Sequence, residues 1–120
     1  DAFFTVYNKI GHGFLESVYV NWLKHELEKS CITVQRELPI EVTYDGIVAG
    51  HYRADLLLDE KVILEVKTDS SAGFAGAERQ LRNYLVCSNI EVGLLLVFGI
   101  KPRFKRIVHS NEHKQKQRQL

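Results

Sequence analysis

The sequence has little cysteine and lacks any long hydrophobic run. Of its 120 residues only Cys31 and Cys87 are cysteines, and neither has a companion at zinc-ligand spacing, so we expect reduced, packed thiols. No apolar run approaches the roughly 18 to 20 residues that a membrane helix needs, and no basic region followed by an apolar one opens the sequence. Neither a membrane span nor a signal peptide is therefore predicted, and the expected location is cytoplasmic.

Acidic residues are scarce at the C-terminal end, although the net charge of the whole chain is only +1. Residues 101–120 contain seven basic residues and one acidic residue, whereas the first hundred residues have a net charge of −5. A basic region of this kind can face a polyanion. Lys105 and Arg106 are its best candidates for such contacts, because they lie next to a strand-like run.

One compact domain is predicted over residues 1–111. Its composition, with 45% hydrophobic and 26% charged residues, is typical of globular proteins. Residues 112–120 have almost no apolar side chains to pack, and we expect them to form a basic, polar, solubilising tail.

Two helices are predicted from apolar residues that recur every three or four positions. The apolar stripe of the first comprises Leu15, Val18, Tyr19, Trp22, Leu23 and Leu27. An earlier helical turn or two is expected at residues 2–10, with a break at Gly11 and Gly13. The second helix is expected from Phe74 or Ala75 to Cys87, and its packing face comprises Ala77, Gln80, Leu81, Tyr84 and Leu85.

Five strands are predicted between and after these helices. Alternating apolar residues before Asp45-Gly46, which is a strong hairpin signal, predict a strand that returns over residues 47–59. A third strand over residues 61–68 would complete an antiparallel meander. After the second helix, a buried strand at residues 91–99 is expected to join the sheet in parallel, and residues 104–110 are expected to form an edge strand.

The third strand and the segment before it carry three charged residues within apolar surroundings. Glu65 and Lys67 are two positions apart and therefore project from the same face of a strand. A three-residue loop at residues 59–61 would place Asp55 opposite Glu65 on that face, whereas a two-residue loop would place the two carboxylates on opposite faces. We predict the three-residue loop or a bulge, because the alternative leaves two strand carboxylates without a role.

Two interpretations of these charges remain open at this point. Neighbouring carboxylates repel each other, and a bound Mg²⁺ or Mn²⁺ ion relieves that repulsion. Alternatively, Asp55 or Glu65 forms a cross-strand salt bridge with Lys67. Glu16 lies at the edge of the apolar stripe of the first helix. It could contribute to a functional site, or it could simply be a first-turn glutamate that interacts favourably with the helix dipole.

Four short motifs resemble those of a known nuclease superfamily, and they follow one another along the chain in the order that the superfamily has. Asp55 followed by Glu65-Val66-Lys67 resembles the signature of the PD-(D/E)XK nucleases, although Ala54 stands where that signature has proline. The segment from Gly13 to Tyr19 is similar to the defining motif of the GxxExxY proteins, and Gln80 with Tyr84 is similar to the QxxxY motif of RecB-like nucleases. The resemblance implies a restriction-endonuclease-like αβββαβ core, which is an α/β fold with a central mixed sheet flanked by helices.

The resemblance also implies roles for individual residues. Asp55, Glu65, the main-chain carbonyl of Val66 and Glu16 would bind Mg²⁺ or Mn²⁺, and Lys67 would activate water or stabilise charge. Further contacts to the site or to nucleic acid are expected from Gln80, Tyr84, Arg53, Lys105 and Arg106.

The expected function is metal-dependent hydrolysis of phosphodiester bonds in DNA. A catalytically inactive, nuclease-like module for nucleic-acid binding or assembly is the alternative from another class, and the same fold acting on RNA or a nucleotide is a second alternative. A homodimer through the exposed edge of the meander is suggested by analogy with small nucleases of this fold.

Overall fold

A computed structural model describes residues 1–37, 39–69 and 73–112 of the chain. The elements within these ranges are α1 (Ala2–Ile10), α2 (Glu16–Lys29), β1 (Val34–Arg36), β2 (Pro39–Tyr44), β3 (Ile47–Arg53), β4 (Leu56–Leu58), β5 (Val62–Thr68), α3 (Phe74–Val86), β6 (Val92–Phe98) and β7 (Pro102–Val108). None of these helices is long and apolar enough to cross a membrane. The predicted tail lies outside the described residues, except for Glu112.

Five strands form a central mixed sheet in the order β1-β4-β5-β6-β7. β5 and β6 are parallel and are joined by α3, while the other neighbouring strands are antiparallel. Parallel neighbours need a long crossover, which the helix supplies. The predicted mixed sheet flanked by helices is therefore confirmed, as are the parallel strand after α3 and the edge strand that follows it.

The loop between β4 and β5 has the predicted three residues, since Leu58 pairs with Val62. Asp59 and Glu60 adopt left-handed φ angles of 50° and 59° within this loop. Two hydrogen bonds hold it in place: the N–H of Asp59 donates to the carbonyl of Thr33 at 2.8 Å, and the carboxylate of Asp59 accepts the N–H of Thr33 at 3.0 Å. The odd register therefore comes from a turn that an aspartate tolerates and stabilises.

The predicted three-strand meander is wrong, because β2 and β3 form a separate two-stranded ribbon with a bulge between Val42 and Thr43. The returning strand ends at Arg53. Just beyond Arg53, the N–H of Asp55 donates to the side chain of Glu65 on β5, and the carbonyl of Asp55 accepts the N–H of Glu37 at 3.3 Å. These bonds take the place of the ribbon ladder, and β1, which the sequence did not separate from β2, pairs with β4 instead.

Apolar residues cover both faces of the central sheet. The α1 and α2 side buries Phe3, Val6, Tyr19, Val20, Leu23, Val34, Leu56, Leu64, Val66, Leu96 and Phe98. The α3 side buries Tyr52, Ala54, Leu57, Ile63, Ala77, Leu81, Leu85, Leu95, Val97 and Ile107. This double coverage explains the continuous apolar runs in β4, β5 and β6.

Three side chains predicted to pack are exposed. Leu15 is 75% exposed because it precedes α2 as its N-cap residue, and Trp22 is 38% exposed. Cys31 is also exposed; it follows α2 with a left-handed φ of 62°, outside the helical face on which packing depends. Cys87 is half-buried, and both thiols are free, as predicted.

Tyr19 fixes the position at which α2 begins. Its ring is fully buried and stacks on Phe98, with centroids 4.1 Å apart. Its hydroxyl donates to the carbonyl of Gly11 at 2.7 Å and accepts the N–H of Phe14 at 3.3 Å. Gly11 and Gly13 have φ angles of 67° and 103°, which confirms the predicted break between the first two helices.

Replacing Tyr19 by Phe is expected to lower the free energy of unfolding by about 1–2 kcal/mol, because the ring keeps its packing while two main-chain groups lose their partner. Urea denaturation measures the loss. Tyr7→Phe is the control, since the hydroxyl of Tyr7 donates to the carbonyls of Gly99 and Ile100 and accepts no described main-chain N–H, so its loss should cost less. An unchanged unfolding midpoint for Tyr19→Phe would contradict this account.

Candidate active site

Two hydrogen bonds next to the start of β4 join Asp55 to β5, one to the side chain of Glu65 and one to the main chain of Val66. The N–H of Asp55 donates to Glu65 Oε1 at 3.3 Å, and the N–H of Val66 donates to Asp55 Oδ2 at 2.8 Å. The pairing therefore continues past the β4–β5 ladder through side chains. It brings the two carboxylates together at the sheet edge just beyond the pair Leu56 and Leu64, as the predicted three-residue loop requires.

Glu65 is almost fully buried, with 9% of its surface exposed. The hydroxyl of Tyr52, on β3, donates a hydrogen bond to Glu65 Oε1. The ring of Tyr52 stacks on the ring of Tyr84 in α3, with centroids 3.7 Å apart and 10° between the planes. The ribbon and α3 thus meet over Glu65, and together they fix the orientation of its carboxylate.

Burial changes the acidity of this pair. The pKa of Glu65 is raised to about 7, mainly because burial disfavours the charged form and also because Asp55 is close; hydrogen bonds from Tyr52 and from the N–H of Asp55 act in the opposite direction. Burial likewise raises the pKa of Asp55, against the N–H of Val66 and the ammonium of Lys67. The site thus favours a shared proton or a bound cation over two bare carboxylates.

Lys67 lies next to this pair without binding to it. Its charge lowers the pKa of both Asp55 and Glu65, so it is within Coulombic reach of them. In the part of the chain that the structure describes, however, Lys67 forms no ion pair with any carboxylate. The geometry does not support the salt-bridge interpretation and leaves the ammonium able to interact with a bound group.

Glu16 approaches the pair from the opposite layer. It begins α2 and is half-buried, and its charge raises the pKa of Asp55. Across residues 1–37, 39–69 and 73–112, no three Asp, Glu, His or Cys side chains are close enough to hold one metal ion. Glu16 thus lies within Coulombic reach of Asp55, and its role as a further metal ligand stays a prediction.

Asp55 and Glu65 fit a divalent cation of the magnesium type. Their described hydrogen bonds use one oxygen of each carboxylate, Oδ2 and Oε1, and no described donor binds Oδ1 of Asp55 or Oε2 of Glu65. Mg²⁺ is commonly held by one or two carboxylates, and water completes its shell. Two hard oxygen donors beside an ammonium are thus a suitable set.

The structure separates several residues that the sequence grouped with this pair. Gln80, predicted on the packing face of α3, is exposed because Ala77 and Leu81 take that face. Tyr84 is half-buried beneath Tyr52, which fits a bracing role. Arg53 alternates with Tyr52 along β3 and so projects to the other side of the ribbon, where it donates to the carbonyl of Glu37 at 3.4 Å.

Lys105 and Arg106 project from opposite faces of β7. Lys105 lies on the α3 side and forms an ion pair with Glu78 at 3.8 Å. Arg106 lies on the α1 side, where it lines a cavity together with Phe3 and Phe104. Consecutive residues of a strand must diverge in this way, so the two cations cannot contact the same strand of a polyanion from one face.

Two residues near this site, Tyr52 and Arg36, were not predicted from the sequence. In the sequence Tyr52 resembles an ordinary apolar residue of a strand. The one signal for its burial is that it alternates with the polar residues His51 and Arg53. Arg36 lowers the pKa of Asp55, and it binds the side-chain amide of Asn21. Its proximity depends on the pairing of β1 with β4, which no local pattern indicates.

The comparison with protein families identifies the wider group. The model of the PD-(D/E)XK nuclease superfamily matches residues 1–107. The chain belongs to the PD-(D/E)XK nuclease superfamily. Asp55, Glu65 and Lys67, which carried the sequence resemblance, fall within the matched range. No curated protein matches the chain.

Solved structures share the fold of this PD-(D/E)XK domain. The crystal structure of SSO0001 has a TM-score of 0.56 at 20% identity, over 78% of this chain and 49% of SSO0001. The alkaline exonuclease LHK-Exo from Laribacter hongkongensis has a TM-score of 0.55 at 10% identity, over 80% of this chain and 56% of that enzyme. The chain thus matches about half the length of each of these structures.

Stability without metal is expected to fall as the pH rises, because folded Glu65 keeps its proton up to about pH 7 whereas the unfolded chain releases it near the ordinary value of 4.5. The stabilisation is present at low pH and is lost through about pH 7. Between about pH 5.5 and about pH 8.5 we expect Glu65 to contribute a loss of about 2 kcal/mol.

Urea denaturation in EDTA at the two pH values tests this expectation, with Glu65→Gln as the matched variant. Gln keeps an acceptor for the hydroxyl of Tyr52 and for the N–H of Asp55, but it carries no charge. The difference between wild type and variant isolates Glu65 from other titrating groups, apart from its coupling to Asp55. Equal pH dependence in both proteins would contradict the raised pKa.

Proposed function

We propose that this PD-(D/E)XK domain is a metal-dependent nuclease that hydrolyses phosphodiester bonds in DNA. The observation that carries the proposal is the position of the Asp55 carboxylate, bound by the N–H of Val66, next to the Glu65 carboxylate, bound by the N–H of Asp55, beside the ammonium group of Lys67, which forms no ion pair with a described carboxylate. Similarity of the sequence motifs to RecB-like nucleases favours DNA over RNA as the substrate. We also assign the chain to the GxxExxY branch, on the segment from Gly13 to Tyr19.

In this mechanism the two carboxylates would hold Mg²⁺ or Mn²⁺ together with the carbonyl of Val66. A bound metal would polarise the phosphate and lower the pKa of a water molecule. The carboxylate of Glu65 is held in one orientation by Tyr52, so little reorganisation is needed at the moment of reaction.

Lys67 acts on the reacting groups in this proposal. Its ammonium, on the same face of β5 as Glu65, orients the attacking water or stabilises negative charge that develops on the phosphate oxygens. Glu16 acts at longer range: its charge raises the proton affinity of Asp55 and so favours a cation at the pair.

Nuclease activity is tested with labelled single-stranded DNA, double-stranded DNA and RNA, in Mg²⁺, in Mn²⁺ and in EDTA. We expect cleavage of DNA with either metal and none in EDTA. Asp55→Asn and Lys67→Ala should each lower the rate at least about 100-fold, because each removes a group that acts on the reacting atoms. Lys61→Ala, an exposed lysine of the β4–β5 loop, is the matched control and should cleave like the wild type.

Three outcomes would overturn parts of this proposal. Full activity in both Asp55→Asn and Lys67→Ala would refute the mechanism. Cleavage of RNA but not of DNA would show that the substrate is RNA and not DNA. Binding of nucleic acid without cleavage in any metal would indicate that the domain is a catalytically inactive binding module.

A further inference from the structure

A small cleft adjoins the candidate active site on the α3 side of the sheet. It has a volume of about 80 Å³ and lies between the end of β5, the first turn of α3 and the start of β7. Its charged lining residues among those described are Lys67, Asp69 and Arg103. Arg103 was not singled out by its sequence context, because several basic residues surround it near the C-terminal end.

The register of the sheet brings Arg103 to the same face as Lys67. Lys67 of β5 lies beside Val97 of β6, and Val97 lies beside Arg103 of β7. Residues at matching positions of neighbouring strands project to the same side, and two strand spacings place the Cα atoms of Lys67 and Arg103 about 10 Å apart. Two cations thus enter one cleft from either side of an uncharged strand.

Arg103 is held in place by an aromatic ring and is not neutralised by a described carboxylate. Its guanidinium lies 4.9 Å from the centroid of the Phe74 ring. Within the described ranges Arg103 has no ion pair, whereas Lys105, two residues further on the same face, is paired with Glu78. Stacking on a ring restrains the planar group and leaves its N–H donors to bind an oxyanion at the edge.

The acidic residue of the cleft is engaged by the main chain. Asp69 Oδ2 accepts the N–H of Ile100 at 2.8 Å, and the carboxylate packs against Gly99. The first turn of α3 adds no negative charge to the cleft. The described charges of the lining therefore sum to a positive value, and an anion is the ligand that they favour.

We propose that this cleft binds a backbone phosphate of the nucleic-acid strand, next to the phosphate that is cleaved, and that Arg103 is the residue that contacts it. The inference rests on the proposed function, since it takes the strand that is cleaved at Asp55, Glu65 and Lys67 to continue over β6 toward Arg103. Arg103 supplies the paired N–H donors that match two phosphate oxygens. It acts on substrate binding and register and not on the chemical step.

The test compares Arg103→Gln with Arg79→Gln. Both variants replace one exposed arginine, so their net charges are equal, but Arg79 lies on the outer face of α3, away from the packing residues Ala77 and Leu81. Fluorescence anisotropy with a labelled DNA oligonucleotide in EDTA, over a series of NaCl concentrations, measures binding without cleavage. Arg103→Gln should weaken binding about tenfold and reduce the slope of log K against log salt concentration by about 1.

Arg79→Gln should bind within about twofold of the wild type, because its charge lies away from the proposed path of the strand. Arg103→Lys should bind with intermediate affinity, since it keeps the charge and loses the planar pair of donors. Thermal unfolding of each variant checks that the fold is retained.

The outcomes separate this inference from the nuclease proposal. Equal losses in Arg103→Gln and Arg79→Gln, or an unchanged salt slope for Arg103→Gln, would overturn the phosphate cleft even if the wild type cleaves DNA. Arg103-dependent binding by a protein that cleaves no substrate in Mg²⁺ or Mn²⁺ would support the cleft and refute the nuclease. Wild-type cleavage together with selective loss of binding in Arg103→Gln supports both.

Discussion

The rest of the site depends on one buried carboxylate, that of Glu65. An isolated charge in the interior of a sheet is costly, and a protein compensates it with hydrogen bonds, a proton or a cation. Here the Tyr52 hydroxyl and the N–H of Asp55 both donate to it. Tyr52 lies on β3, and Asp55 lies between the end of β3 and the start of β4. The break between the two strands therefore also supplies a hydrogen-bond donor to Glu65.

This requirement links parts of the fold that would otherwise be independent. The ribbon of β2 and β3 is not part of the central sheet, yet Tyr52 ties it to β5, and Tyr84 ties it to α3. The N–H of Val66 in turn binds Asp55. A displacement of the ribbon would therefore change both the orientation and the pKa of the Glu65 carboxyl. The geometry of the site thus depends on the packing of the ribbon against α3.

The sequence predicted the register of this site because the side-chain alternation of a strand has only two phases. Two carboxylates, one on each strand, either share a face or do not, and only an odd loop lets Asp55 meet Glu65. The same local reasoning failed for the ribbon, because the end of β3 depends on bonds from Asp55 to β5 and to Glu37 that are distant in sequence. It failed for Gln80 because helical spacing alone does not set the width of the buried stripe.

Charges on the surface of β7 show a further limit of sequence patterns. Basic residues cluster near the C-terminal end, and adjacency along the chain grouped Lys105 with Arg106, although a strand directs consecutive side chains to opposite faces. The positions that share a face with Lys67 are set by the pairing of β5 with β6 and of β6 with β7. The position of Arg103 on the same face as Lys67 can be recognised only from that pairing. A cation two strands from Lys67 extends the electrostatic surface of the site across β6 without adding charge to the buried pair, so affinity for a polyanion and the proton affinity of Glu65 can be set by different residues.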